Sequence, residues 1–243
     1  MNIDNFDLSK LKKEYQNNVP FPHIVIQNFW DTNQLSVAVD ELEALPETIW
    51  TQNQDPTSKE MIVQKKKMAL NKPSMFAGLA PNICHIMKAM NQKPMLEWLS
   101  ELTGIPELIP DPDNLGGGVH RTCSGGKLSI HADFNLHPKT KLHRRINVLL
   151  YLNRDWLESW NGHLELWDPQ MKTCVKKIPP IFNNMVVFTI TEQALHGHPE
   201  PLTCPNDRSR LSLAFYYYTK DRPEEEKKPF HWAIWHPRPK LGY

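Results

Sequence analysis

The sequence has no apolar run long enough to span a membrane. Its opening residues, MNIDNFDLSKLKKEYQ, hold no apolar segment of the kind that begins a secretory leader. Both absences point to a cytoplasmic location and to no membrane partner. Cysteine is sparse and scattered. Cys84, Cys123, Cys174 and Cys204 form no CxxC pair, which argues against a structural zinc site and against a compact disulfide framework. Neither sign of charge is in excess: the 28 Lys and Arg face 27 Asp and Glu, so no global field selects nucleic acid or acidic partners. Repeats and low-complexity tracts are missing too. What remains is 243 residues with an apolar fraction of 40% and a charged fraction of 23%, an ordinary globular composition sized for one domain.

The first hundred residues carry mostly helical spacing. Residues 4–17 read as a polar helix that Val19-Pro-Phe-Pro22 breaks, and His23-Ile-Val-Ile26 reads as a short strand. Asp31 suits the N-cap of a helix over 32–45, where Leu35, Ala38, Val39, Leu42 and Leu45 share a face. Residues 51–67 are polar and end in three lysines, the texture of a solvated loop. A second helical region covers 79–103, with Pro94 splitting it and Gly104 closing it.

After residue 105 the texture changes. Strand-like runs at 127–133, 145–152, 163–167, 174–178, 185–190 and 210–219 alternate with turn signals, the pattern of a sandwich or barrel. The expectation is a mainly β fold with flanking helices in a single domain. Residues 1–104 form a mostly helical support, 105–220 the β core, and 221–243 an extension. That extension is rich in proline and charge, yet it holds Trp232 and Trp235, so it is expected to dock on the body.

Chemistry concentrates at Ser129-Ile-His-Ala-Asp-Phe134, which holds the one His-x-Asp of the chain. In an extended segment His131 and Asp133 face the same side, and an imidazole and a carboxylate so placed converge on a divalent ion. Two histidines and one carboxylate with open positions suit non-haem Fe(II). The third ligand should lie far along the chain, brought in from an opposite strand. His196, after the apolar run Met185–Ile190 and beside Gly197, is the best placed; His198, followed by Pro199, is its nearest rival. Further on, Arg210 and Ser212 alternate onto one strand face. A planar guanidinium fork with a hydroxyl in phase grips a carboxylate, which is what a 2-oxo dicarboxylic acid chelating the metal would need.

Gly125-Gly126, His131-Ala-Asp133-Phe, Arg144-Arg-Ile-Asn-Val-Leu-Leu-Tyr-Leu-Asn153, Trp156, Gly162-His-Leu-Glu-Leu-Trp-Asp168, His196-Gly-His-Pro199 and Arg210-Leu-Ser212 occur in that order. Over about residues 105–219 the chain thereby resembles the Fe(II)/2-oxoglutarate-dependent oxygenase superfamily, in its prolyl 4-hydroxylase-like branch. The resemblance implies a double-stranded β-helix (jelly-roll) core. It makes His131, Asp133 and His196 the catalytic iron ligands and Arg210 with Ser212 the 2-oxoglutarate clamp. It also implies dioxygen as co-reactant, ascorbate as a reductant, and hydroxylation of an unactivated C–H bond with release of succinate and carbon dioxide. The substrate would be a peptide or a small molecule, with no nucleic acid. Asn161 stands where such proteins often have a doubled glycine, with only a local change expected in the hairpin. The retained Asp133 speaks against halogenation.

Other readings stand beside these. His120 and Asn147 are candidates for the cosubstrate pocket, or for structural hydrogen bonds. His163-Leu-Glu165 reads as an exposed hairpin pair and His198-Pro-Glu200 as a turn. Arg208 competes with Arg210 but has no hydroxyl in phase, and the basic stretch 139–145 reads as a solvated face. A non-catalytic jelly-roll binding module would not need Arg210 and Ser212 in phase. A cupin-like metal enzyme without 2-oxoglutarate would keep the histidines and dispense with Arg210.

Overall fold

The computed structural model describes residues 1–52 and 63–238. Most of the stretch read as a solvated loop at 51–67, and the last five residues of the extension, lie outside the described residues. The described residues include four complete α-helices: α1 (Leu8–Asn17), α2 (Thr32–Glu43), α3 (Pro81–Met90) and α4 (Lys93–Thr103). Their ends are chemically marked. Asp31 caps α2 by accepting from Gln34 N, and Gly104 closes α4 at φ 75°, where a β-carbon would be strained. Pro94 sits in the first turn of α4 rather than inside one long helix, so the break falls just before it.

Thirteen strands are described: β1 (His23–Ile26), β2 (Thr51–Gln52), β3 (Lys67–Leu70), β4 (Ile109–Pro110), β5 (Gly118–Cys123), β6 (Leu128–Ala132), β7 (His143–Tyr151), β8 (Leu164–Trp167), β9 (Cys174–Ile178), β10 (Met185–Thr189), β11 (Leu195–His198), β12 (Ser209–Thr219) and β13 (Ile234–Trp235). They form two antiparallel sheets. The major sheet runs β1-β10-β7-β12-β5-β3-β2, with β4 also on β12; the minor sheet runs β13-β6-β11-β8-β9. This is the jelly-roll arrangement. The support region is less purely helical than its spacing suggests, because β1, β2 and β3 are built into the major sheet.

The helices cover the outer face of the major sheet. Leu35, Val39, Leu42, Ile83, Met87 and Leu99 pack with Ile146, Val148, Leu213 and Phe215 in one large core. The opposite phase of β7 and β12 faces the minor sheet. One sheet face is thus committed to hydrophobic burial, leaving the other to line a cavity between the sheets.

The C-terminal extension docks as a strap. Asn135 donates to Pro229 O (2.8 Å) and accepts from His231 N (3.0 Å). β13 then pairs with β6, and the Trp235 ring lies 4.7 Å from that of His131, centroid to centroid.

Candidate active site

The strand register decides which histidines meet. β11 lies beside β6, and His196 is directly opposite His131. The two imidazoles are therefore cross-strand neighbours in one sheet, not residues reaching from opposite walls as expected. A bulge between His196 and His198 breaks the register. Gly197 allows the close approach there: a β-carbon would lie 2.7 Å from the Ser129 carbonyl oxygen.

Both rings present the same edge to the centre. His131 Nδ1 is 2.9 Å from Ser129 O, and His196 Nδ1 is 2.8 Å from Ala194 O. A carbonyl only accepts, so each Nδ1 carries a proton, and the neutral tautomer of each ring has its lone pair on Nε2. His131 Nε2 lies 3.5 Å from Asp133 Oδ1, and His196 Nε2 lies 3.4 Å from Asp133 Oδ2. The three ligand atoms fall within 4.8 Å of one another, and all three residues are buried. Burial, then the neighbouring His196, lowers the pKa of His131 and favours the neutral imidazole a metal requires.

Asp133 is held from behind. Its Oδ2 accepts from Arg144 Nη2 (3.0 Å) and Asn147 Nδ2 (2.6 Å). Arg144 also donates to Asn147 Oδ1, and its guanidinium lies 3.5 Å from the Tyr216 ring centroid and 4.4 Å from that of Phe134. Burial works to raise the Asp133 pKa, but Arg144 and the two histidines outweigh it and hold the carboxyl well below its usual range. Arg144 is 1% exposed and Arg145 is buried too, so reading 139–145 as a solvated face fails at its last two residues. β7 starts there, and a break in its register with β12, opposite Tyr217 and Tyr218, turns Arg144 inward out of phase with Ile146 and Val148.

The second cluster lies on β12. Arg210 and Ser212 face the cavity as their spacing predicts, both buried. Arg210 Nε donates to Gly162 O (2.7 Å) and Nη2 to the Tyr151 hydroxyl (3.2 Å). Among the described residues no carboxylate pairs with this guanidinium. Arg208 turns outward, donating to Arg154 O and lying over Trp160. Gly162 is required where it stands, since a β-carbon would meet Arg210 Cδ at 3.0 Å and Leu202 at 2.8 Å. Its neighbour Asn161 adopts φ 62°, ψ −151°, a region that belongs almost wholly to glycine. Its side chain donates to Pro201 O in partial compensation. Asn161→Gly is expected to stabilise the protein by about 1 kcal/mol, strain relief less that hydrogen bond. Chemical denaturation would read it as a higher midpoint at unchanged slope.

His120 and Asn147 both line the cavity. Asn147 spends its amide on Asp133 and Arg144, so it acts on the metal ligand rather than presenting free atoms to the cosubstrate. His120 Nε2 donates to Gly116 O at 2.8 Å. Burial, then Lys67, holds the His120 pKa well below its ordinary value. A histidine so depressed binds fewer protons folded than unfolded. Its contribution is complete above about pH 6.5 and is lost as the pH falls below that, by at most about 1.4 kcal/mol per pH unit given the water that reaches the cavity. His120→Gln should therefore flatten the acid limb of stability against pH in the metal-free protein.

Two further expectations change. Glu165 is buried, accepting from Trp167 Nε1 (2.9 Å) and pairing with Lys177 (3.0 Å), so it is no exposed hairpin partner of His163. His198 is not in a turn. It ends β11, is buried in the cavity wall, and its Nδ1 has no hydrogen-bond partner among the described residues. Two cavity residues, Arg144 and Lys67, and the partner of Arg210, Tyr151, escaped the reading of the sequence as site residues. Tyr151 shares the alternating face of Asn147, a usable signal. Arg144 was hidden in a basic run. Lys67 was hidden in a lysine triplet, and only the pairing of β3 with β5 turns it inward.

A sequence profile described as the 2OG-Fe(II) oxygenase superfamily matches residues 117–218, the stretch that contains His131, Asp133, His196 and Arg210. Over that stretch the chain is similar to this superfamily. Mouse prolyl 3-hydroxylase OGFOD1 is 30% identical over 142 residues, covering 57% of this chain and 24% of that protein. The Xenopus laevis protein of the same name is 26% identical over 211 residues, covering 84% and 37%. The chain thus spans well under half the length of these curated relatives. Among solved structures, a Trichoplax adhaerens prolyl hydroxylase in complex with a hypoxia inducible factor peptide fragment superposes with a TM-score of 0.63 at 16% identity, over 90% of this chain and 94% of that one. A Pseudomonas putida prolyl-4-hydroxylase gives 0.55 at 17%, over 86% and 98%. At these identities the structures speak for the fold.

The superfamily's metal and cosubstrate are Fe(II) and 2-oxoglutarate, and the residues fit both. Two imidazoles and one carboxylate bring their ligand atoms within 4.8 Å of one another, the donor set that suits Fe(II). The buried Arg210 has the Ser212 and Tyr151 hydroxyls beside it and lacks an anion, which a distal carboxylate would supply.

Proposed function

We propose that the chain is an Fe(II)- and 2-oxoglutarate-dependent dioxygenase that hydroxylates an unactivated C–H bond, in the manner of prolyl hydroxylases. The observation that carries this is the coexistence, in one cavity, of the His131–Asp133–His196 cluster and a buried arginine, Arg210, with no carboxylate partner among the described residues. A cupin-like metal enzyme without 2-oxoglutarate leaves that arginine unexplained, and a binding module leaves both unexplained.

His131, Asp133 and His196 would hold the metal. Bound Fe(II) supplies activation of dioxygen coupled to decarboxylation of 2-oxoglutarate, giving succinate and carbon dioxide. The remaining work belongs to the chain. The carbonyls of Ser129 and Ala194 fix the imidazole tautomers. Arg144 and Asn147 keep Asp133 ionised and fix its orientation. Arg210, Ser212 and Tyr151 orient the cosubstrate by its distal carboxylate. Phe134, Leu149, Phe188 and Trp235 supply apolar wall, limiting water where a reactive oxidant forms.

The test is succinate formation from 2-oxoglutarate by purified protein with Fe(II), ascorbate and oxygen. Release that depends on iron and disappears in His131→Ala supports the proposal. If the iron-loaded protein neither releases succinate nor binds 2-oxoglutarate, the binding-module reading takes its place.

A further inference from the structure

Lys67 has no role in the chemistry above. Its side chain lines the cavity, and its Nζ meets one partner among the described residues, Gln64 Oε1 at 3.2 Å. No carboxylate pairs with it. Asp133 is engaged by Arg144, and Arg210 turns away toward Gly162 and Tyr151. The sheet explains the placement. Lys67 on β3 and Arg210 on β12 both pair with Thr122 of the intervening β5, so the three stand in one row across the inner face. Two strand spacings, about 10 Å, separate the backbones of the two cations.

The charges in the cavity do not balance. A divalent metal and a doubly charged cosubstrate cancel each other. Among the described residues the charged side chains are then one carboxylate, Asp133, against three cations: Lys67, Arg144 and Arg210. Two positive charges remain in excess among them. Arg210 serves the cosubstrate's distal carboxylate and the metal takes its 2-oxo acid end, so no anionic group of 2-oxoglutarate is left for Lys67. Lys67 is half-buried, and an anion that meets its ammonium there gains a charge-assisted hydrogen bond.

We propose that the primary substrate carries an oxyanion, a carboxylate or a phosphate, and that Lys67 seats it so that the C–H bond to be oxidised lies over the metal, against Trp235 of the strap. This rests on the oxygenase reading and deepens it. Burial, partly offset by Asp133, holds the ammonium pKa at about 8, so it is charged at neutral pH and ready for an anion.

The test uses protein loaded with Mn(II) in place of iron and saturated with 2-oxoglutarate. Inorganic phosphate and acetate are titrated separately, reading paramagnetic relaxation of the phosphate 31P and acetate methyl 1H signals. Saturable relaxation enhancement is expected with at least one anion, and the stronger binder tells phosphate from carboxylate. Lys67→Met should weaken it at least about tenfold. Lys67→Arg should retain it, and both variants should bind 2-oxoglutarate as the wild type does by calorimetry. Two outcomes overturn the proposal: no saturable enhancement with either anion, or equal enhancement in Lys67→Met. A loss of 2-oxoglutarate affinity in Lys67→Met also overturns it, assigning the lysine to the cosubstrate instead. Wild-type protein that binds Mn(II) but no 2-oxoglutarate would remove the underlying oxygenase reading, a result distinct from the others.

Discussion

Asp133→Ala is expected to lose both metal affinity and a large part of the folding stability, whereas His131→Ala should lose the metal alone. The difference comes from Arg144. Asp133 is the one carboxylate that pairs with this guanidinium among the described residues, and Arg144 is 1% exposed. Without it the cation sits between Tyr216 and Phe134 with only neutral partners, Asn147 Oδ1 and the Tyr216 hydroxyl, among the described residues. Breaking a buried pair by removing one partner costs about 3–5 kcal/mol, some of which the aromatic faces offset. His131 leaves no charge behind when it is truncated. Urea unfolding of the metal-free variants makes the comparison, and equal stabilities would contradict the assigned role of Arg144. Asp133→Asn should recover much of the stability and little of the metal, because an amide oxygen still accepts from Arg144 but carries no charge.

Arg210→Ala is expected to separate the two ligands the other way. Affinity for 2-oxoglutarate should fall at least about 30-fold, since truncating one side of a buried charge pair costs about 2–5 kcal/mol. Metal affinity should be unchanged, because Arg210 bonds Gly162 and Tyr151 and touches none of the three metal-binding side chains. Metal and cosubstrate titrations of the same preparation decide it. Parallel loss of both would mean the two clusters are not independent. Arg210→Lys should recover the charge but not the bidentate geometry, and so sit between the two.

Much of this site could be read before the fold was known, for a definite reason. Period-two alternation places side chains on a face without any knowledge of the partner strand, so His131 with Asp133 and Arg210 with Ser212 were legible. The choice of His196 over His198 was also reachable, though for an incomplete reason: the register opposite His131 decides it. What alternation cannot supply is pairing between distant strands. Lys67 enters the cavity only because β3 lies against β5, and nothing in three consecutive lysines announces that. Arg144 was obscured differently. A run of basic residues looks solvated whether or not its end enters a strand. The helices were legible because their caps and apolar stripes are local, while the strands of the first hundred residues were partly missed because their partners are far away.

The strap also has a bearing on solubility. β6 carries His131 on the edge of the minor sheet, and β13 covers that edge with a pairing two residues long. An uncovered strand edge is a template for another chain. Displacing the strap would expose that template and release Trp232 and Phe230, strap rings already open to solvent. The guard against self-association and the roof over His131 are one segment, so variants that loosen it should aggregate and lose metal together.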